Sequence, residues 1–392
     1  MNTALARLIS AQVCLHACMA GMRLAAPLLA LRLGYSPVAV GVLLALFSLT
    51  QVFLALPAGR FTDRHGLKRP VGLAVVAAIT GAALAVVFPV FSVLCISALL
   101  TGGATGAASI ALQRHVGRAA HGATELKRVF SWLAIGPAVS NFVGPFAAGV
   151  LIDYAGKVPS DMTGFRVAFF VMATLPVATW FLVRTVQELA PVQPAHGGAP
   201  STAWDLLRQP MMRRLMMVNW FLSSCWDVHT FVVPVLGHER GLNASVIGTI
   251  LGAFAIAAAS VRLLMPAFAA QLREHVVLTV AMVLTALLFA VYPFMHSPLA
   301  MGTCSVLLGF TLGSVQPMIM STLHQITPAA RHGEALGFRL MAINTSSVLM
   351  PMLFGTVGAM VGVQVVFWTV GLLVGAGARP AWLLQPTARK TP

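Results

Sequence analysis

Ionisable side chains are scarce in the apolar runs of this 392-residue chain, and those few are its candidates for chemistry. A charge inside a bilayer costs roughly 2.5–3.5 kcal/mol on insertion scales, so a charged residue in mid-helix needs a function or a partner. Asp227 is the carboxylate placed well inside an apolar run, whereas the other acidic residues fall in loops or near run ends. Burial favours its neutral form and a nearby cation favours its charged form, so a change of surroundings would load and release a proton. A structural ion pair or a polar contact between helices is the plainer role for the same residue. Arg23 is the matching cation in the first run, and helical spacing puts His16, Met19, Ala20, Arg23 and Pro27 on one stripe. His229, two residues from Asp227, points elsewhere on its helix, which leaves His16 as the better-placed histidine. A neutral core histidine held by one hydrogen bond is the alternative for His16. Arg262, nearer a run end, reads as a side chain that snorkels to the interface, with an anion contact at a cavity mouth as the second reading. Gln51, Gln316, Asn141, Asn344 and Arg339 are polar residues in spans that line a site or bind neighbouring helices.

The elements that carry these groups are membrane helices. The chain is 58% hydrophobic and 9% charged, with a mean hydropathy of +0.87, a composition that belongs in lipid rather than in a soluble domain. At about 20 residues per crossing, spans are predicted near 5–31, 37–58, 70–89, 91–113, 127–152 and 165–186. A second set follows near 211–236, 244–270, 275–294, 298–323, 334–361 and 363–384. The apolar stretch 8–31 is too long for a signal-peptide core and is interrupted by His16 and Arg23, so it reads as the first span.

The net charge of +15 is spread over short loops rather than gathered on one face, which argues against a nucleic-acid partner. With both termini in the cytoplasm, the loop arginines and lysines fall mostly inside, among them Arg60, Arg114, Lys127, Arg273, Arg331, Arg389 and Lys390. Arg32, Lys157, Arg166 and Arg240 remain outside. Cys14, Cys18, Cys95, Cys225 and Cys304 all lie in apolar runs and read as packing residues, not as a disulfide framework or metal site. His115, His121 and Glu125 lack the further ligands a metal would need.

Between the second and third runs lies a knot of charge, GRFTDRHGLKRP over 59–70, read as a tight cytoplasmic loop. Gly59, Asp63, Arg64 and Gly66 fall in the register of the loop signature G-x-x-x-D-R-x-G, with its basic pair displaced to Lys68 and Arg69 and Leu67 in the first basic place. On these residues the chain resembles the major facilitator superfamily. In the fifth span, Ser131, Ser140, Gly144, Pro145, Ala148 and Gly149 resemble the motif of that superfamily's antiporters, with serine or alanine at several glycine positions. Small residues there let helices approach closely, and proline bends them. In the fourth span Gly102 and Gly106 match, whereas Ala98 stands where many proton-coupled exporters carry arginine. Gly309, Gly313, Gln316, Pro317 and the loop 328–337 resemble the superfamily's second half. The turn 34–41 repeats as 241–248, with glycines at both ends and Ser36 and Asn243 as N-cap residues. The Pro-, Gly- and Ser-rich stretch 187–210 reads as a cytoplasmic linker ending in a short surface helix near Trp204 to Arg208. Gly248/Gly252 and Gly309/Gly313 read as close-contact helix faces.

The resemblance implies an all-α integral membrane protein of twelve helices in two pseudo-symmetric six-helix bundles, 1–186 and 211–392, joined by the linker. It implies alternating access around a central site lined by the first and seventh spans. If the register of the repeated turn extends backward, Arg23 aligns with Thr230, one turn from Asp227, and the two would form a bridge that breaks during transport. In the family it resembles, Asp63 and its basic neighbours latch the cytoplasmic side, which suits a carboxylate at a helix N-terminus. The expected activity is proton-coupled export of small amphipathic compounds or metabolites, favoured by the fifth-span motif and the adaptable lining that 19 methionines offer. Import of a small organic anion is the alternative, and a ligand sensor without flux the third reading. An enzyme is not expected, since no nucleophile, base and orienting group fall together. The expected protein is a monomer in a bacterial-type inner membrane, driven by a proton gradient and needing no cofactor.

Overall fold

The computed structural model describes residues 3–35, 37–156, 161–189, 203–242 and 244–385. The expected N-caps Ser36 and Asn243, Lys157, the linker residues 190–202, and Arg389 and Lys390 lie outside the described residues. The α-helices, in order, are α1 (Thr3–Arg32), α2 (Pro37–His65), α3 (Lys68–Val87), α4 (Phe91–Ala119), α5 (Gly122–Leu133), α6 (Ile135–Tyr154), α7 (Met162–Arg184), α8 (Pro210–Glu239), α9 (Ala244–Phe268), α10 (Glu274–Val291), α11 (Pro298–Gly313), α12 (Val315–Ile326), α13 (His332–Val361), α14 (Val363–Ala376) and α15 (Ala378–Trp382). The pairs α5/α6, α11/α12 and α14/α15 each run on as one crossing, so the fifteen helices make twelve spans. Ten are long and apolar enough to cross a membrane among the described residues. The 30-residue helices α8 and α13 complete the set.

Helix starts follow local chemistry. Asp161 caps α7 by accepting a hydrogen bond from the Gly164 amide, and Ser297 caps α11 through the Ala300 amide with Pro298 as the first helical residue. The knot at 59–70 differs from the expected loop. α2 runs on through Gly59 to His65, and the turn is confined to Gly66 and Leu67, Gly66 adopting φ +75° before α3 begins at Lys68. Arg60, Asp63 and Arg64 are compatible with helix once it has left the hydrocarbon, so charge alone misplaced the boundary. Likewise α4 continues past 113 to Ala119, and α5 begins at Gly122, ahead of the expected 127. The expected surface helix before α8 is a 3₁₀ turn, Ala203–Arg208, with Trp204 exposed and Leu206 buried.

The chain divides into two compact units, each of which includes a segment from the other half of the sequence: Pro328–Thr345 joins the first unit, and Ala120–Trp132 the second. In the first, α1 packs on α4, α6 and α7, and α2 on α4, around a core that includes Met22, Phe47, Phe165, Phe169 and Met172. In the second, α9 packs on α11, and α10 on α12 and α14. The repeat read from the turns extends into this packing. A Cβ at Gly102 would lie 2.1 Å from the Phe47 carbonyl oxygen, and one at Gly309 would lie 2.4 Å from that of Phe254. These pairs are separated by the same sequence interval as Gly34 and Gly241, both at positive φ. Gly309 and Gly313 are therefore close-contact faces, as their spacing implied. Among the described residues nothing lies within 4 Å of a would-be Cβ on Gly252.

Candidate functional site

Two carboxylates stand in built surroundings, one in each unit. In the first unit Asp63, near the end of α2, sits on the N-terminus of α13. Its Oδ1 accepts the Gly333 amide and its Oδ2 the Glu334 amide, both at 2.9 Å. Arg114 of α4 donates Nε to the same carboxylate at 2.5 Å and Nη2 to the Asp63 carbonyl at 3.3 Å. The ion pair is nearly dry, with the two side chains 10% and 3% exposed. Unpaired helix N–H groups and a buried guanidinium thus share one anion. The backbones must meet for this, and a Cβ on Gly59 would lie 2.2 Å from the Gly333 oxygen. Around this centre Glu334 binds Arg60 at 2.9 Å and Arg331 at 2.6 Å. Glu188 caps the start of α3 by accepting the Leu67 and Lys68 amides. Arg64 and Arg69 are exposed and Lys68 half-buried, outside the Asp63 centre.

In the second unit Asp227 lies midway along α8. Ser346 Oγ donates to its Oδ2 at 3.2 Å, and Ser347 Oγ reaches Oδ1 at 3.2 Å, both serines belonging to α13. Ser224 Oγ extends the cluster, 3.0 Å from Ser346 Oγ. Among the described residues no ion pair includes Asp227. A hydroxyl can donate to a carboxylate or accept from a carboxylic acid, so this cage fits either protonation state. Trp226 meets Phe254 edge-on at 4.6 Å, and the Arg262 guanidinium stands 5.6 Å over the Trp226 ring. His229, fully buried, stacks on Phe254 at 4.1 Å and bonds Ser305, which also binds the Tyr292 hydroxyl.

The other sequence candidates fall apart by unit. Arg262 does not snorkel: it is 8% exposed and donates to the Gly313 carbonyl. The apolar packing of α9 on α11 encloses it, which span position alone does not reveal. Gln316 is half-buried on α12. In the first unit, Arg23 is on the exposed side of α1 while Met19, Ala20 and Pro27 of its stripe are buried. Asn141 hydrogen-bonds the His16 ring. Asn344 binds its own helix at Leu340, and Arg339 is buried. Ser140 bonds the Val13 carbonyl across to α1, and a Cβ on Gly144 would lie 2.4 Å from the Ala17 oxygen. Gly149 makes only ordinary contact, and Pro145 is half-buried in mid-helix. His121 and Glu125 pair with each other on an exposed surface.

Arg114, Glu334, Ser346 and Ser347 were not singled out from sequence. The run Thr345, Ser346, Ser347 in an apolar span was a legible cue to the last two. Arg114 offered only its charge near a span end.

A membrane helix bundle whose twelve spans repeat as six plus six, with a mid-span carboxylate and an anion-capped helix end, has the build of a secondary transporter. The chain belongs to the Major Facilitator Superfamily, whose family model matches residues 8–303 and 215–392. It is 24% identical over 359 residues to multidrug resistance protein MdtG of Yersinia enterocolitica, covering 86% of this chain and 82% of that protein. It is 22% identical over 232 residues to a multi-drug resistance efflux pump PmrA homolog of Lactococcus lactis, covering 56% of this chain and 54% of that protein. Its fold is similar to that of the superfamily transporter FucP, solved in an outward conformation, with a TM-score of 0.80 at 14% identity over 98% of this chain and all of that one. The protein is thus a multi-pass membrane transporter and not an enzyme.

Proposed function

We propose that this transporter is a proton-coupled exporter of small amphipathic compounds, with Asp227 as the proton-carrying group. The observation that supports this most is the Asp227 cage: a mid-span carboxylate bonded by Ser346 and Ser347, next in sequence to Trp226. Hydroxyl partners accommodate proton gain and loss without rearranging an ion pair. The half-buried Trp226 ring, backed by the buried Phe254, offers an apolar, polarisable surface of the kind amphipathic ligands need. The names of the two distant relatives, a multidrug resistance protein and a multi-drug efflux pump, point in the same direction.

In the mechanism, Asp227 loses a proton to admit substrate and regains one on the other side of the membrane. Arg23 acts as a transient partner for the charged form, and His16 with Asn141 as a polar contact on α1. The Asp63 centre is the cytoplasmic latch. The protein works as a monomer in a bacterial-type inner membrane with cytoplasmic termini, without a cofactor and with no role in nucleic-acid binding.

The test uses energised inverted vesicles and an acidification dye. Addition of an amphipathic test compound collapses part of the proton gradient in vesicles with wild-type protein and not with Asp227→Asn. Uptake of a labelled organic anion driven by an inward proton gradient would instead establish the import reading, with Arg23 and Arg262 as anion contacts. Binding in proteoliposomes without flux would establish a sensor.

A further inference from the structure

We propose that an anionic phospholipid binds the outer face of the second unit, its acyl chain in a groove between α10 and α14 and its headgroup phosphate on Arg379. The groove has a volume of about 500 Å³ and is lined by Val283, Leu287, Ala290, Trp368, Leu372 and Ala376 among others. Both helices are apolar enough to cross the membrane. Leu372 and Leu287 stand 77% and 57% exposed there. The floor exists because glycines replace side chains: a Cβ on Gly371 would lie 3.2 Å from Phe289 Cβ, and one on Gly375 would lie 3.4 Å from Ala286 Cβ. Trp368 closes one end, its indole N–H donating to the Ala290 carbonyl at 3.2 Å.

The dimensions fit one lipid tail. From Ala376 back to Trp368 the groove runs roughly 12 Å along the helix, close to the ~15 Å depth of one leaflet's hydrocarbon. Charge complementarity selects the headgroup. Arg379 lies three residues past Ala376, on α15, and is exposed. Its guanidinium has no hydrogen-bond or ion-pair partner among the described residues. Trp382, about half exposed and edge-on to His275, marks the interface one turn further on, where indoles settle at headgroup level. Arg273, the exposed residue preceding α10, adds a second positive charge beyond it. Nothing acidic on α14 or α15 opposes these cations, and Glu274 is engaged by Ser321, Gln325 and Lys127.

The experiment reconstitutes the full chain with phospholipids brominated in the acyl chain, as phosphatidylglycerol or phosphatidylcholine, and reads tryptophan quenching. Subtracting the Trp368→Phe signal isolates Trp368. Quenching should favour phosphatidylglycerol by roughly fivefold, the scale of one basic residue near an anionic headgroup. Arg379→Gln should reduce that preference to near parity while leaving quenching by phosphatidylcholine intact, and Ala376→Phe should reduce quenching by both lipids. Equal quenching in wild type would overturn the proposal in favour of ordinary annular lipid. So would a headgroup preference that survives Arg379→Gln, or concentration-dependent protection of Trp368 by a second copy of the chain.

Discussion

Asp63 and Asp227 are carboxylates on long membrane helices, yet one is locked and the other is not. Asp63 has a guanidinium from Arg114 and two amides at the start of α13. Among the described residues Asp227 has the neutral hydroxyls of Ser346 and Ser347 and no ion pair. An anion bonded by a buried cation and a helix terminus has little freedom to change charge, because protonation would strand the arginine. An anion held by hydroxyls can exchange a proton and keep its partners. On the proposed mechanism, the fixed charge would serve the latch and the exchangeable charge the coupling.

The sharpest way to break this contrast is to neutralise each acid without changing its shape. Asp227→Asn should reduce proton-driven transport to the leak level while costing less stability than Asp63→Asn, since both serine hydroxyls can still bond the amide and no buried cation is stranded. Transport assays paired with thermal unfolding check both halves. Asp63→Asn strands Arg114 and should lower stability by about 3–5 kcal/mol. Unfolding should recover much of that loss in the double variant Asp63→Asn with Arg114→Leu, whose non-additivity measures the pair. A smaller effect comes from Ser346→Ala or Ser347→Ala. Each removes one hydrogen bond to a charged group, about 1.5–3 kcal/mol, and should slow proton-driven flux roughly tenfold or more. The least effect belongs to Arg60→Gln. Arg60 is half exposed where it meets Glu334, so denaturation should register no more than about 1 kcal/mol.

The architecture was legible because membrane insertion writes long apolar runs that survive any detail of packing. The repeat was legible in Gly34 and Gly241, whose positive φ is a backbone demand. The end of α2 was misread, because charge marks where a helix leaves the bilayer, not where it stops. Partners were the hardest to see. Arg114 meets Asp63 from 51 residues away and Gly333 from 270, distances over which spacing carries no information. Ser346 and Ser347 lie 119 and 120 residues from Asp227, and hydroxyls in spans are common enough to pass as helix contacts. Arg262 shows the same limit from the other side, since snorkelling and burial look alike until the neighbouring helix is placed.

The most direct measurement compares gradient-driven accumulation with passive exchange of one amphipathic compound in proteoliposomes of the Asp227→Asn protein. If Asp227 carries the proton, exchange persists at a substantial rate while accumulation against a gradient vanishes. Undiminished accumulation in that variant would contradict proton coupling at Asp227.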